Sequence, residues 1–159
     1  MKHLSIILIA LGVSLSSLAG QPKDTASTVV PFHLRPSCSL IVVSVELNGI
    51  QTSFLVDCGS EISVLATSQA EIFHYQIVTG DDIQNTDWSG RPVNLSYASG
   101  ATAKLGGITL KNCFRAADLD NLLATVSRRT GKNVVGIIGA DVLSRYHLVI
   151  DFSNHTIHQ

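Results

Sequence analysis

Charge and aromatic rings are both scarce: Asp, Glu, Lys and Arg make up 14% of the 159 residues, and Phe, Trp and Tyr only 6%. The formal net charge is -1 and the largest basic cluster is Arg128-Arg129, so the electrostatic footprint of a nucleic-acid binder is missing. No apolar run reaches the roughly 20 residues that a membrane-spanning helix needs. No pair of Cys, His or carboxylate residues has the spacing of a structural metal site. A Gly-x-Ser-x-Gly nucleophile elbow is also missing, and Gly131-Lys132 lacks the upstream glycine and the following Ser or Thr of a phosphate loop. Internal repeats and low-complexity tracts are absent. Neither a metal nor an organic cofactor is implied. The three cysteines, Cys38, Cys58 and Cys113, leave at least one thiol unpaired within a monomer. Cys38 and Cys113 can form a bridge only if the fold brings them together.

The N-terminus has the three parts of an export signal: Lys2, a short apolar core from Ile6 to Val13, and Ser17-Leu18-Ala19 before the cut. Residues 1–19 are therefore expected to be a signal peptide, and the protein to be exported, periplasmic or secreted, with no membrane span once the signal is removed. Residues 20–33 are expected to be a flexible lead, since the stretch from Gln21 to Thr28 is polar and without periodicity. One folded domain, 34–159, would follow. It is long enough to bury a working core.

Periodicity places the elements. Val43, Val45 and Leu47 alternate with Ser44 and Glu46. Asn48-Gly49 supplies a tight turn, and Ile50, Thr52, Phe54 and Val56 resume the alternation, which predicts a hairpin. Its return strand ends at Asp57, so the register fixes where that carboxylate emerges. Ile62 to Leu65 is expected to be a strand and Ala66 to Ile72 a short helix. From Gln76 to Gly100 the many turn-forming residues predict loop. Ala103 to Leu105 and Ile108 to Leu110 flank Gly106-Gly107 as a second hairpin. Leu119, Leu122, Leu123 and Val126 predict an amphipathic helix, with Asp118 or Asp120 as cap and Gly131 as stop. Val134 to Ile138 is a continuous apolar strand. A short helix to about Tyr146, a strand from His147 to Phe152 and an extended end follow.

An Asp-x-Gly after a strand is in general a turn in which Asp caps its own backbone. Here it lies in FLVDCGSEISVL, Phe54 to Leu65, and a second patch, Val134-Val135-Gly136-Ile137-Ile138-Gly139-Ala140-Asp141, follows in order. Together they resemble the retropepsin-like aspartic proteases, the single-domain relatives of pepsin, and the C-terminal part resembles exported bacterial members of that family. The resemblance covers roughly Leu40 to Ile157. Cys58 departs from it, standing where the family has Thr or Ser.

The resemblance implies a mainly all-β, closed acid-protease fold with one or two short helices. It implies an aspartic endopeptidase, a hydrolase of peptide bonds in a peptide or protein substrate. Asp57 would be the catalytic acid, Gly59 would let the backbone approach it, Ser60 would hydrogen-bond the carboxylate from outside, and Ile137, Ile138 and Gly139 would buttress the loop. Trp88, Ser89 and Gly90 fall at the distance of the substrate-covering flap, and the packing of its loop onto the body is an equal reading of Trp88. Asp151 is expected to be the turn acid of a last hairpin and not a second catalytic group.

Peptide hydrolysis by this chemistry needs two carboxylates that share one proton, and only Asp57 has the right context. Activity therefore implies a homodimer in which Asp57 meets its own copy. In the family the Thr hydroxyl locks the two loops across the dimer. A thiol is a weaker donor and acceptor, so Cys58 either packs as a small apolar residue or pairs with its symmetry mate as a disulfide. The alternative function is a non-catalytic peptide-binding or assembly module that keeps the protease fold.

Overall fold

The computed structural model describes residues 28–86 and 92–159. Strand β1 (Val29–Pro31) precedes the hairpin of β2 (Ile41–Leu47) and β3 (Ile50–Val56). Asn48 and Gly49 turn at φ 46° and 88°, as a two-residue hairpin loop requires. The register runs unbroken from Leu47 opposite Ile50 to Ile41 opposite Val56. After the Asp57 loop come β4 (Ser63–Ala66), a 3-10 turn at Thr67–Gln69, and the antiparallel pair β5 (Gln76–Thr86) and β6 (Pro92–Ser99). A second hairpin, β7 (Thr102–Leu105) and β8 (Ile108–Lys111), turns at Gly106-Gly107 and leads to β9 (Phe114–Ala117). Helix α1 (Asp120–Thr130), β10 (Val134–Ile138), helix α2 (Ala140–Arg145), β11 (Val149–Asp151) and β12 (Thr156–His158) complete the chain.

The strands form a nine-stranded sheet in the order β5-β6-β9-β4-β10-β3-β2-β7-β8 and a three-stranded sheet in the order β1-β12-β11. β10 lies between β3, to which it is parallel, and β4, to which it is antiparallel. All five of its residues are buried, which is why its sequence is continuously apolar where the outer strands alternate. One face of the sheet packs the main core, in which Phe32, Val43, Leu47, Phe54, Leu65 and Ile138 are almost fully enclosed. The Phe54 ring meets Phe114 edge to face, with centroids 5.6 Å apart. Burying a side chain of this size contributes about 1.5–3 kcal/mol.

A second, smaller core covers the other face, where Leu123 and Val126 of α1 close over Leu55, Ala66, Val134 and Ile137. The end of β3 is thus enclosed on both faces, Leu55 in one core and Phe54 and Val56 in the other. α1 stops at Gly131, whose φ of 70° is the left-handed C-terminal conformation. At its start no side chain caps the helix directly; Asp118 Oδ1 accepts the Asp120 N–H at 3.2 Å. Leu122, expected on the packing face, is 48% exposed.

Three expectations are corrected, and the cysteine pairing left open is answered. Gln76 to Gly100, read as loop from its turn-forming residues, contains β5 and β6, which form because each supplies the other's backbone partners from Gln76 opposite Ser99 to Thr86 opposite Pro92. The turn signal survives as a register irregularity between Thr79 and Gln84. The helix expected over Ala66 to Ile72 is only the 3-10 turn at Thr67–Gln69. Val29–Pro31, placed in the polar lead, is a strand because β12 pairs with it along its whole length. Cys38 and Cys113 do not pair, and the thiols of all three cysteines are free. Cys38 closes a turn through its N–H to the Arg35 carbonyl at 2.9 Å. Cys113 donates to the Lys111 carbonyl at 3.0 Å and accepts from Arg145 Nη1 at 3.3 Å. Among the described residues, no helix is long and apolar enough to cross a membrane.

Candidate active site

The Asp57 loop starts where the parallel pairing of β3 with β10 ends. Asp57 N–H donates to the Ile138 carbonyl at 2.9 Å as the last rung, and the chain then turns, with Ser60 N–H on the Asp57 carbonyl at 3.1 Å. The Asp57 side chain folds into the same turn, Oδ1 accepting the Gly59 N–H at 3.0 Å. This is the local capping that Asp provides in turns. It also holds the carboxyl group at the surface: Asp57, Cys58 and Gly59 are exposed, while Val56 behind them is buried. A Cβ on Gly59 would stand 3.2 Å from Asp57 Oδ1, tighter than ordinary packing. Among the described residues, the Gly59 N–H is the one hydrogen-bond donor to this carboxylate.

The loop is fastened from behind by the start of α2. Ala140 N–H donates to the Ser60 carbonyl at 2.8 Å. Gly139 is buried, and a Cβ there would lie 2.6 Å from the backbone of Ile62 and 2.8 Å from the Ser60 carbonyl, so only glycine lets the two segments touch. Ile137 and Ile138 are buried in opposite cores, and the Ile138 carbonyl and Gly139 lie directly behind the Asp57 turn. Ser60 is placed differently. Its hydroxyl donates to the Ile62 carbonyl at 2.8 Å and not to the Asp57 carboxylate, because the turn carries its side chain toward β4.

Sequence reasoning missed the pair that ties the loop together. Ser63 is fully buried; its hydroxyl donates to Asp141 Oδ1 at 2.7 Å and accepts the Gly139 N–H at 2.9 Å. The same Asp141 oxygen accepts the Val142 N–H at 2.7 Å. A hydroxyl between apolar neighbours in a short strand was the available signal, since a buried polar group must find partners.

Burial and hydrogen bonding shift the protonation of Tyr75, Tyr146 and Asp151. Burial pushes the Tyr75 hydroxyl up, and burial followed by the Cys113 contact does the same to Tyr146. Asp151 is held below the usual carboxylate range by the Asn154 side chain and then by the N–H groups of Asn154 and Ser153. It is the turn acid of the β11–β12 hairpin, as expected, with Oδ1 accepting from Ser153 N at 2.8 Å and Asn154 N at 3.0 Å. Trp88, Ser89 and Gly90, the candidate flap, lie outside the described residues; β5 and β6 are the strands that lead to them.

The strand buried on both faces, the surface carboxylate in its glycine turn and the strand end that clasps the turn all lie within the stretch that matches one protein-family profile. That family is described as aspartyl protease, and the match spans residues 43–142. The chain belongs to the aspartyl protease family. Among solved structures, the retroviral protease-like domain of a Leishmania major protein is similar at 17% identity, over 74% of this chain and 86% of that one, with a TM-score of 0.50. The fold is retropepsin-like. The EIAV protease in complex with an inhibitor is 21% identical over 72% of this chain and 95% of its own, with a TM-score of 0.49. A retropepsin-like aspartic protease from Rickettsia conorii is 14% identical over 83% and 89%, with a TM-score of 0.48. No curated protein matches the chain significantly in sequence.

Proposed function

We propose that this protein is an aspartic endopeptidase that works as a homodimer, with Asp57 of each protomer forming one dyad across a two-fold axis. Family membership supports a hydrolase of the aspartic protease type. The observation that carries the finer reading is the exposed Asp57 carboxylate at the end of a strand enclosed on both faces, in a turn fixed by backbone hydrogen bonds to Ile138 and Ala140.

One carboxylate per chain is half of the chemistry. When two meet, like charges a few ångströms apart cannot both ionise, so the pair holds one proton and titrates as a unit. The ionised member takes a proton from water as its oxygen attacks the peptide carbonyl carbon, and the protonated member gives its proton to the carbonyl oxygen. Collapse of the tetrahedral diol breaks the C–N bond, and the leaving nitrogen takes up a proton from the dyad. Gly59, with no side chain, leaves room for a substrate backbone beside the carboxylates. The extended substrate would lie between the protomers, covered by the segment that joins β5 to β6.

In this reading the protein acts after export, in the periplasm or outside the cell, once residues 1–19 have been removed. Mass spectrometry of the mature N-terminus tests that point. Sedimentation velocity and peptidase assays across pH, on the native protein and on Asp57→Asn, test the rest. The expected result is acid-favoured cleavage that rises with the dimer fraction and is lost in Asp57→Asn. Cleavage by a strict monomer, or by the Asn variant, would sink the dyad; a dimer that binds peptides without cutting them would select the non-catalytic module.

A further inference from the structure

One cavity of the protein does not include the Asp57 loop. It encloses about 430 Å³, within the range of roughly 300–1,000 Å³ typical of small-ligand sites. It lies over the outer face of the β2–β3 hairpin, between the segment that follows β1 and the end of α1. Ser44 and Ser53, cross-strand partners, both line it.

Its chemistry is one-sided. His33, Arg35 and Lys132 line it from two separate segments, and no Asp or Glu does. Hydroxyls of Ser44, Ser53 and Thr130 add polar groups, while Phe32, Leu40 and Val42 supply an apolar wall. Among the described residues, the one ion pair is Lys104–Glu46, so neither Arg35 nor Lys132 is neutralised by a described carboxylate. The Arg35 backbone is set by a turn: its carbonyl accepts the Cys38 N–H at 2.9 Å with Pro36 at the second position, where proline fixes the backbone. Its guanidinium lies against Gly131, on the segment that carries Lys132. A planar guanidinium with an ammonium lining the same cavity is suited to a carboxylate, which it can grip through paired N–H donors.

We propose that this cavity is an accessory binding site for an acidic peptide segment, one that carries a carboxylate side chain next to an apolar residue. Arg35 and Lys132 take the carboxylate, and the partly exposed Leu40 and Val42 take the apolar neighbour. The site sits within one protomer and depends on neither dimerisation nor turnover. Along β3, Ser53 precedes Asp57 by four residues, about 13 Å at roughly 3.3 Å per residue, so the site is separate from the dyad.

The test uses Asp57→Asn protein, which removes cleavage as a variable, and two rhodamine-labelled, end-blocked peptides, Ala-Leu-Glu-Leu-Ala and Ala-Leu-Gln-Leu-Ala. Fluorescence anisotropy is expected to show the Glu peptide binding about tenfold more tightly than the Gln peptide, in keeping with a hydrogen-bonded charge. Arg35→Gln should remove that preference, Lys132→Gln should reduce it about threefold, and Ser44→Phe, which fills the cavity from a solvent-facing position, should abolish binding. Equal affinity for the two peptides, binding to neither, or a Glu preference that persists in both charge variants overturns the proposal. Because the Arg35 and Lys132 variants perturb different segments, a folding defect in one, seen as a lowered melting temperature, leaves the other to decide. Failure here would leave the Asp57 assays unaffected, and the reverse also holds.

Discussion

Ser63 and Asp141 are 78 residues apart in the chain and 2.7 Å apart in space, and the hydroxyl between them also receives the Gly139 N–H. This one oxygen ties the start of β4 to the start of α2, next to the Ala140–Ser60 backbone bond that also joins α2 to the Asp57 loop. Ser63→Ala removes it and leaves a buried N–H and a carboxylate oxygen short of a partner, which costs about 1–3 kcal/mol. The melting temperature should fall accordingly, and kcat should fall more than KM rises, since the loop loses its position and not its substrate contacts.

Gly139→Ala should be worse than the usual Gly→Ala change. The added methyl would stand 2.6 Å from Ile62 backbone atoms, and forcing apart packed backbone costs typically about 1–3 kcal/mol. Urea unfolding should show the loss, and peptidase activity should drop with it. Gly59→Ala is milder, since the new methyl meets only Asp57 Oδ1 at 3.2 Å.

Cys58 is exposed and its thiol is free. Restoring the family residue in Cys58→Thr offers a stronger donor and acceptor at the position expected to face the second protomer. The dimer dissociation constant should fall severalfold by sedimentation, with activity at low protein concentration rising in step. Non-reducing electrophoresis of the unaltered protein decides between the two readings of the thiol: a reducible dimer that Cys58→Ser abolishes means a disulfide, and monomer mass under all oxidising conditions means simple packing.

Tyr75 donates its hydroxyl hydrogen to the Ala66 carbonyl, and burial raises its pKa above the ordinary value of 10.0. The unfolded chain therefore loses this proton first as pH rises. Stability from the group is complete below about pH 10 and declines above it, toward the folded value. Tyr75→Phe should cost about 1 kcal/mol at neutral pH through the lost hydrogen bond and flatten the alkaline decline. Urea unfolding at pH 8 and pH 11 checks both.

What was legible in the chain was what short-range patterning dictates. The β2–β3 hairpin was visible because Asn48-Gly49 permits one turn geometry and Val43 to Val56 alternate around it. β10 was visible because a strand enclosed on both faces has no polar side to show. β5 and β6 were hidden because Gly80, Asp81, Asp82 and Asn85 suggest turns on their own, and only the partner strand makes them a ladder. β9 was hidden because its partners are the distant β4 and β6, with no tight turn beside it to mark a hairpin as Gly106-Gly107 does for β7 and β8. At the candidate site, Asp57 and Gly139 were named from their motifs. The Ser63–Asp141 bond was not, since nothing local tells a hydroxyl in one strand of an acid in a distant helix.

The small sheet has β12 in the middle, hydrogen-bonded on one side to β1 and on the other to β11. Its central strand is therefore saturated, and among the described residues the outer backbone rims are Val29–Pro31 and Val149–Asp151. Any neighbour that docks by strand addition on this side must align with one of those two short rims, and three residues offer few rungs. A lasting union of two molecules along this sheet would have to draw its strength from side chains such as the half-exposed Val149 and Phe152.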